Sequence, residues 1–462
     1  MSETSADFRL APQRVIAYAI LLTLTAALGC ATFGAGRAPR DAHEWVELGK
    51  TASQQERHND AARAFGRALE VDYASLTAHR GLIAAHYNLG RLGELQGLYE
   101  KRYEEEPNNP FHAYGLAITL YGTTIANAER ALDLLAAAEK LRPKLSDIPY
   151  RRAVILLDAE RYHEAREALS RALEIEDKAR YRAPMALALS KLGEREGSLD
   201  LLRGILEMDP TAREVELARI VAERISDPLQ GFPRAARGRI ERAMAWIEQA
   251  DVPQKAIDML REVLLEHPEA AMVHAILGLA YQRIDALGEA IVHMRRAIEL
   301  APDLALPRLY LANVMQSLER DDEARKHFLG ALERNPFLVE AHAALGKAAS
   351  ERGMSSEAIR HLRAWSLLAP SSKQPRLMLS RSLAATGQLG EAAKILEEVL
   401  SMDEDNLEAH LSLATIYSRR HATARTESER RGYATIARRH LDKVLEVQPE
   451  NAAARRLAAE LP

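Results

Sequence analysis

Apolar and small residues recur along most of the chain at a fixed step of 34 positions. Leucines, alanines and prolines all keep this step: Leu277, Leu311, Leu345, Leu379 and Leu413; Ala256, Ala290, Ala324, Ala358 and Ala392; Pro268, Pro302, Pro336 and Pro370. A period of this length is typical of a supersecondary unit that cannot bury its apolar side alone. We therefore predict two antiparallel helices per unit, ended by the proline, and hairpins that stack on their neighbours.

The order of small and large residues within a unit resembles that of the tetratricopeptide repeat (TPR) family. The residues that match the family pattern in two repeats are Trp45, Leu48, Gly49, Ala61, Phe65 and Ala68, and Leu277, Gly278, Tyr281, Ala290, Ala297 and Pro302. The resemblance covers about 42–462. It implies an all-α fold, a right-handed superhelical solenoid of about eleven helical hairpins plus a C-terminal capping helix.

The repeat register also predicts how the chain is divided. The step between Pro210 and Pro268 is 58 residues, which is one repeat plus an excess. The pattern of the excess predicts a lone helix followed by the segment DPLQGFPR, which is rich in the helix-breaking residues proline and glycine. The expected parts are an N-terminal array over 42–210, an irregular helix and linker over 211–236, and a C-terminal array over 237–462.

The last repeat, 407–451, is longer than the others, and its extra residues between Tyr417 and Ala437 are polar and basic. We expect two lengthened helices that extend beyond the stack. Asn451–Leu461 then follows as the capping helix, whose polar outer face closes the array.

The N-terminal segment has the pattern of an export signal. Arg9 and Arg14 precede an apolar run from Val15 to Ala27, which has the length of a signal-peptide core. The run ends in Ala-Leu-Gly-Cys, which resembles the lipobox of bacterial lipoproteins. The resemblance implies a signal peptide over 1–29, lipidation of Cys30 and a short tether over 30–41.

The lipoprotein resemblance also carries an expectation about location. Ala31 stands where an aspartate tends to retain such proteins in the inner membrane, so we expect a lipid anchor on the periplasmic face of the outer membrane. Two alternatives stay open. One is a single-pass anchor in the inner membrane, formed by residues 15–36, which contain no charge. The other is secretion without an anchor.

Composition narrows the function. The single cysteine in 462 residues excludes an intrachain disulfide and a cysteine-based metal cluster. The net charge of −4 gives no overall positive charge that would favour binding to nucleic acid. The low aromatic content, 5%, suits helices built on alanine and leucine.

The sequence offers no catalytic or metal site. Four histidines occupy the fourth position of their repeats, and we expect them to face the neighbouring helix: His79, His274, His342 and His410. The zinc-peptidase, nucleophile-elbow and phosphate-loop motifs do not occur. We predict no enzyme activity, no cofactor, no metal and no small-molecule substrate.

The TPR resemblance implies a concave groove lined by the second, fifth, ninth, twelfth and thirteenth positions of the first helices. The candidate partner-binding residues on it are Lys50, Arg80, Tyr87, Asn88, Gln282, Arg283, Asn313, Gln316, Lys347 and Arg381. Such side chains could grip the backbone and carboxylates of an extended peptide. The alternative is an ordinary solvated surface. The chaperone-type carboxylate clamp of the family is not matched.

We expect a non-catalytic scaffold, similar to the TPR lipoproteins of the bacterial envelope, that binds protein partners and is held to a membrane by lipid. It would support the assembly or coupling of a secretion, pilus or exopolysaccharide-export machine. The alternatives are an inner-membrane-anchored adaptor and the recognition subunit of an enzyme complex.

Overall fold

The computed structural model describes residues 41–208, 210–225, 232–249 and 253–461. The predicted signal peptide, the predicted lipidation site Cys30 and all of the predicted tether except Asp41 lie outside the described residues. The chain divides into two compact units, Met1–Val221 and Ala222–Pro462, and the division falls within one helix.

Unit 1 is built from helical hairpins with short turns. Its helices are α1 (Ala42–Gln54), α2 (His58–Val71), α3 (Leu76–Asn88), α4 (Leu92–Glu105), α5 (Pro110–Thr123), α6 (Ala128–Leu141), α7 (Asp147–Asp158), α8 (Tyr162–Ile175), α9 (Ala179–Lys191) and α10 (Arg195–Leu206). A 3₁₀ turn, Ile125–Asn127, joins α5 to α6. The lone helix α11 (Ala212–Ile225) contains the division between the units.

Unit 2 repeats the same architecture. Its helices are α12 (Arg234–Glu248), α13 (Pro253–Glu266), α14 (Ala271–Arg283), α15 (Leu287–Leu300), α16 (Leu306–Ser317), α17 (Asp321–Leu332), α18 (Val339–Glu351), α19 (Ser355–Leu368), α20 (Gln374–Ala385), α21 (Leu389–Met402), α22 (Leu407–Thr423), α23 (Glu427–Val447) and α24 (Ala452–Glu460). The described residues thus form eleven hairpins, α11 and α24. The prediction of an all-α array of about eleven hairpins with a capping helix is confirmed.

Glycines let helices approach closely, both within a hairpin and between adjacent hairpins. A Cβ atom on Gly278 of α14 would lie 2.7 Å from Met294 Cγ, and one on Gly49 would lie 2.7 Å from Phe65 Cε1. A Cβ on Gly115 would overlap the ring of Tyr99, which is fully buried. These contacts explain why glycine occupies the eighth position of α1 and α14 and the sixth position of α5.

Most hairpin turns in the described chain contain one residue in the left-handed region, with φ between 57° and 83°. Four of these residues are glycines, Gly90, Gly193, Gly353 and Gly387. The others are acidic residues: Glu56, Glu160, Asp285 and Glu319. The repeat therefore sets the backbone conformation of the turn even where the residue is not glycine.

The C-terminal end of the array differs from the other hairpins. Helices α22 and α23 have 17 and 21 residues, whereas the helices of the preceding hairpin have 12 and 14. Thr426 and Glu429 form a capping box at the start of α23. The closing helix α24 buries Ala454 and exposes Arg455 and Arg456.

Candidate functional site

The first helices of successive hairpins lie side by side within each unit. In unit 1, α3 contacts both α1 and α5, and α7 contacts both α5 and α9. In unit 2, α14 contacts both α12 and α16, and α20 contacts both α18 and α22. We call the surface that these helices share the first-helix face, and the residues predicted for partner binding lie on these helices.

In unit 1 the predicted residues are already engaged within the fold. The Lys50 Nζ atom is 2.7 Å from Glu47 Oε1, one turn away on α1. The Arg80 Nη1 atom donates to Asp147 Oδ1 at 2.8 Å. Tyr87 and Asn88, at the C-terminal end of α3, are partly buried.

In unit 2 the predicted residues follow one another along the first helices. Arg283 of α14 and Gln316 of α16 are exposed, whereas Gln282 and Asn313 are partly buried. The Oε1 atom of Gln282 is buried and has no hydrogen-bond partner among the residues that the structure describes. These side chains supply amide and guanidinium groups at intervals of one hairpin.

The two cations further along the face have aromatic or acidic neighbours. The Lys347 Nζ atom of α18 lies 5.3 Å from the centre of the Trp365 ring, within the range of a cation–π contact. Arg381 of α20 forms an ion pair with Glu408 of α22, and its side chain is 63% exposed. Arg381 also lines a shallow pocket of about 230 Å³ together with Ser412 and Arg419.

The sequence analysis missed a cluster of charged residues in unit 1. Asp147, at the start of α7, lies against guanidinium groups from three helices. Its carboxylate is 2.8 Å from Arg80 Nη1, 3.4 Å from Arg180 Nη2 and 3.5 Å from Arg151 Nε. It also accepts a hydrogen bond from the Tyr114 hydroxyl. We call Arg80, Asp147, Arg151 and Arg180 the arginine cluster.

The charges in the arginine cluster stabilise one another. Burial raises the pKa of the Asp147 carboxyl, but the three arginines outweigh burial and hold that pKa well below its usual range. The pKa of Tyr114 is raised by burial and by Asp147. Asp147 is therefore ionised and Tyr114 neutral at physiological pH, so the hydroxyl donates and the carboxylate accepts.

The repeat register contained a signal for this cluster. Arg80 and Tyr114 occupy the fifth position of their repeats, and Asp147 and Arg180 occupy the second. These positions lie on the face that the family resemblance assigns to partner binding. The third to fifth repeats depart from the family pattern, so periodicity alone does not single out these side chains.

The four histidines at the fourth position hold the loops between repeats. In each, Nε2 lies within 3.1 Å of the carbonyl oxygen six residues earlier: Tyr73, Pro268, Pro336 and Glu404. A carbonyl oxygen only accepts, so Nε2 carries the proton and Nδ1 is left as an acceptor. At the intervening fourth positions, Arg308 and Arg376 donate to the carbonyl oxygens of Pro302 and Pro370. From residue 274 to residue 410, histidine and arginine thus alternate at the fourth position of the repeat, and each donates to a carbonyl oxygen of the preceding loop.

In unit 2 the acceptor nitrogen of each of these histidines faces another histidine on the second helix. The Nδ1–Nδ1 distance is 3.0 Å for His274 and His293, 3.0 Å for His342 and His361, and 2.8 Å for His410 and His440. The second histidine of each pair is the donor. In unit 1, the Tyr99 hydroxyl takes this place, 2.6 Å from His79 Nδ1.

The histidine pairs do not form part of a larger ligand set. Within the described part of the chain, no three histidine, cysteine, aspartate or glutamate side chains are arranged to hold a metal ion. None of the helices described is both long and apolar enough to cross a membrane.

Comparison with known proteins gives matches to repeat proteins. Residues 46–105 and 377–435 match the model of the tetratricopeptide repeat family. Among solved structures, the chain is similar to YrrB, a TPR protein with an unusual peptide-binding site, at 21% identity over 43% of this chain and 96% of that chain (TM-score 0.37). It is similar to the type IV pilus biogenesis factor PilW at 18% identity over 49% and 99% (TM-score 0.34).

A third match is longer. One chain in the structure of the APC/C hetero-tetramer Cut9–Hcn1 is similar at 13% identity over 90% of this chain and 95% of that chain, with a TM-score of 0.28. The fold described above and the two segments matched by the family model agree on the repeat type. Residues 46–105 and 377–435 are tetratricopeptide repeats, within an all-helical array of hairpins of the same kind.

Proposed function

We propose that this protein is a non-catalytic scaffold that binds a protein partner along its first-helix faces and is tied to a bacterial membrane by lipid on Cys30. The observation that carries the proposal is the first-helix face of unit 2. It presents Arg283 and Gln316 to solvent on successive hairpins and Arg381 two hairpins further on, whereas the apolar side chains are packed between the helices. Such spaced amide and guanidinium groups suit an extended polypeptide, whose backbone and carboxylates they can hydrogen-bond.

The envelope location rests on the N-terminal sequence. The apolar run from Val15 to Ala27 and the only cysteine of the chain, three residues later, support export followed by lipidation. More than one acyl chain on the modified cysteine would hold the protein stably, because a single chain gives only marginal membrane binding. We place the scaffold on the periplasmic face of the outer membrane, where it would support a secretion, pilus or exopolysaccharide-export machine.

Lipidation is tested by metabolic labelling. Cells expressing the full chain are grown with a clickable fatty acid, and the purified protein is analysed for the label. The wild type should be labelled and Cys30→Ala should not. Equal labelling of the two proteins would disprove the anchor at Cys30 and leave partner binding unaffected.

Partner binding is tested by reversing the charge of the first-helix face. Gln316→Glu combined with Lys347→Glu should abolish recovery of the partner by a tagged full-length chain. The matched control is Arg295→Glu, an exposed change on the second helix α15. Exposed substitutions of this kind usually shift stability little, so unfolding temperatures should be nearly unchanged. An identical set of recovered proteins for all three chains would contradict the proposal.

A further inference from the structure

The arginine cluster carries more positive than negative charge. Three guanidinium groups surround one carboxylate, which leaves a surplus of two positive charges. Two neighbouring carboxylates have partners of their own, although Glu176 is also close enough to Arg180 for their charges to attract. Glu176 lies 2.5 Å from Lys178 Nζ and accepts from Ser146, and Asp177 pairs with Arg182. Among the described residues these neighbours therefore balance the surplus only in part.

The cluster also has a donor that the fold does not use. The Nε atom of Arg180 is buried and has no hydrogen-bond partner among the described residues, whereas Arg151 Nε is directed at the Asp147 carboxylate 3.5 Å away. Arg151 as a whole is only 8% exposed. Buried donors without acceptors are unfavourable and uncommon in folded proteins, so a ligand that supplies acceptor oxygens would complete the arrangement.

Tyrosine rings hold the guanidinium groups in place. The Arg180 guanidinium carbon lies 4.7 Å from the centre of the Tyr181 ring and 5.7 Å from that of Tyr150. The Arg151 guanidinium carbon lies 5.5 Å from the same Tyr150 ring. Both tyrosines are buried, so the cations are positioned before any ligand arrives. Such preorganisation lowers the entropic cost of binding.

The accessible side of the cluster is cationic. The side chains of Arg80 and Arg180 are 21% and 23% exposed, whereas that of Asp147 is 3% exposed. An approaching anion would therefore meet guanidinium groups and not the resident carboxylate. These residues come from α3, α7 and α9, which are first helices, so the site lies on the first-helix face of unit 1.

We propose that the arginine cluster binds a carboxylate side chain of a protein partner on the first-helix face of unit 1. Arginine suits this role because its planar fork can donate two parallel hydrogen bonds to one carboxylate. The inference rests on the proposed function, since it assigns an acidic segment to the partner of the scaffold.

The test uses synthetic peptides as probes and the full chain as it is expressed. An N-acetylated, C-terminally amidated peptide of five Gly-Glu repeats carries rhodamine, and its binding is followed by fluorescence polarisation at low salt. A Gly-Gln peptide of the same length is the uncharged control. We expect only the Glu peptide to bind, and its affinity to fall as salt is added.

Two variants locate the binding. Arg180→Gln should weaken binding of the Glu peptide about tenfold, a typical loss for a hydrogen bond to a charged group. It leaves Asp147 bound to Arg80. The matched control is Arg166→Gln on the second helix α8, which pairs with Glu194 at 2.8 Å and should change nothing. Equal effects of the two substitutions, or equal binding of the Glu and Gln peptides, would overturn the site.

A third variant separates an anion site from a structural ion cluster. Asp147→Asn removes the resident carboxylate, so the Glu peptide should bind more tightly and raise the unfolding temperature more than in the wild type. Weaker binding by folded Asp147→Asn would contradict the proposal, and Arg180→Gln decides the matter if Asp147→Asn does not fold. Binding of only a peptide with a free C-terminal carboxylate would overturn the assignment to a side chain. Failure in unit 1 is distinguishable from failure of the scaffold proposal, which is tested at Gln316 and Lys347 in unit 2.

Discussion

His342 and His361 share one hydrogen bond between their Nδ1 atoms, which lie 3.0 Å apart across the hairpin of α18 and α19. His342 donates from Nε2 to the Pro336 carbonyl oxygen and accepts at Nδ1, so the His342 ring must be neutral. A proton added to Nδ1 of His342 would set two N–H groups against each other. The hydrogen bond between the two rings therefore opposes protonation of His342.

The first prediction is that acid destabilises unit 2. Burial lowers the pKa of His342 to about 4, that of His361 to about 3 and that of His440 to about 4. In the unfolded chain these groups titrate near 6.5, so below that pH the unfolded state binds more protons than the folded state. The free energy of unfolding is therefore highest above pH 6.5 and decreases as the pH falls towards 4.

Thermal unfolding followed by circular dichroism between pH 7 and pH 4.5 measures this effect. Each buried histidine contributes at most about 1.4 kcal/mol per pH unit. The double variant His342→Gln and His361→Gln should show a flatter dependence on pH, and the exposed-site control His43→Gln should match the wild type. A wild-type unfolding temperature that stays constant or rises on acidification would contradict the role of the pairs.

The second prediction concerns the close approach of adjacent hairpins. Gly115→Ala places a Cβ atom into the ring of Tyr99, which is fully buried and cannot move aside easily. We expect the free energy of unfolding to fall by about 1–3 kcal/mol, as in other overpacked cores. Unfolding of the wild type and the variant in urea measures this difference in free energy.

Gly97→Ala is the matched control for this substitution. Its Cβ atom would enter open space on α4, and alanine favours a helix over glycine. The control should therefore be neutral or stabilising. Equal losses of stability in the two variants would mean that the contact with Tyr99 does not limit residue 115.

The third prediction concerns the hairpin turns. Gly387 has φ of 82°, where a residue with a Cβ atom is strained by about 1–2 kcal/mol. Gly387→Ala should lower the midpoint of urea unfolding, and Gly390→Ala, three residues later at the start of α21, should not. If Gly387→Ala left the midpoint unchanged, the left-handed turn would not be a fixed feature of the repeat.

The repeats were predictable because their determinants are local and periodic. The 34-residue step predicted where the hairpins lie and where prolines follow their second helices. It also predicted that α22 and α23 are longer than the other helices. The fourth-position histidines were predicted to face the neighbouring helix. His79, His342 and His410 are buried there, and each of the four contacts a side chain of the second helix.

The side-chain partners on the first-helix face were not predictable in the same way. Arg381 pairs with Glu408 one hairpin away, and Arg80 pairs with Asp147 across 67 positions of sequence. Which residues pair in this way depends on the rotation of each hairpin relative to the next. It also depends on which nearby carboxylate the arginine side chain contacts. The arginine cluster also lies in repeats whose residues depart from the family pattern. Periodicity alone therefore predicts that its residues lie on the first-helix face, but not that they pair with one another.

The most direct test of the central claim is site-specific photo-crosslinking of the full chain in its native cells. Benzoylphenylalanine is placed at Arg283 or Gln316, which are exposed on the first-helix face, or at Val292, which is 66% exposed on a second helix. The account predicts a crosslinked protein of the same mass from both first-helix positions and none from Val292. Crosslinks from all three positions alike, or from none of them, would contradict a protein-binding scaffold that works through its first-helix face.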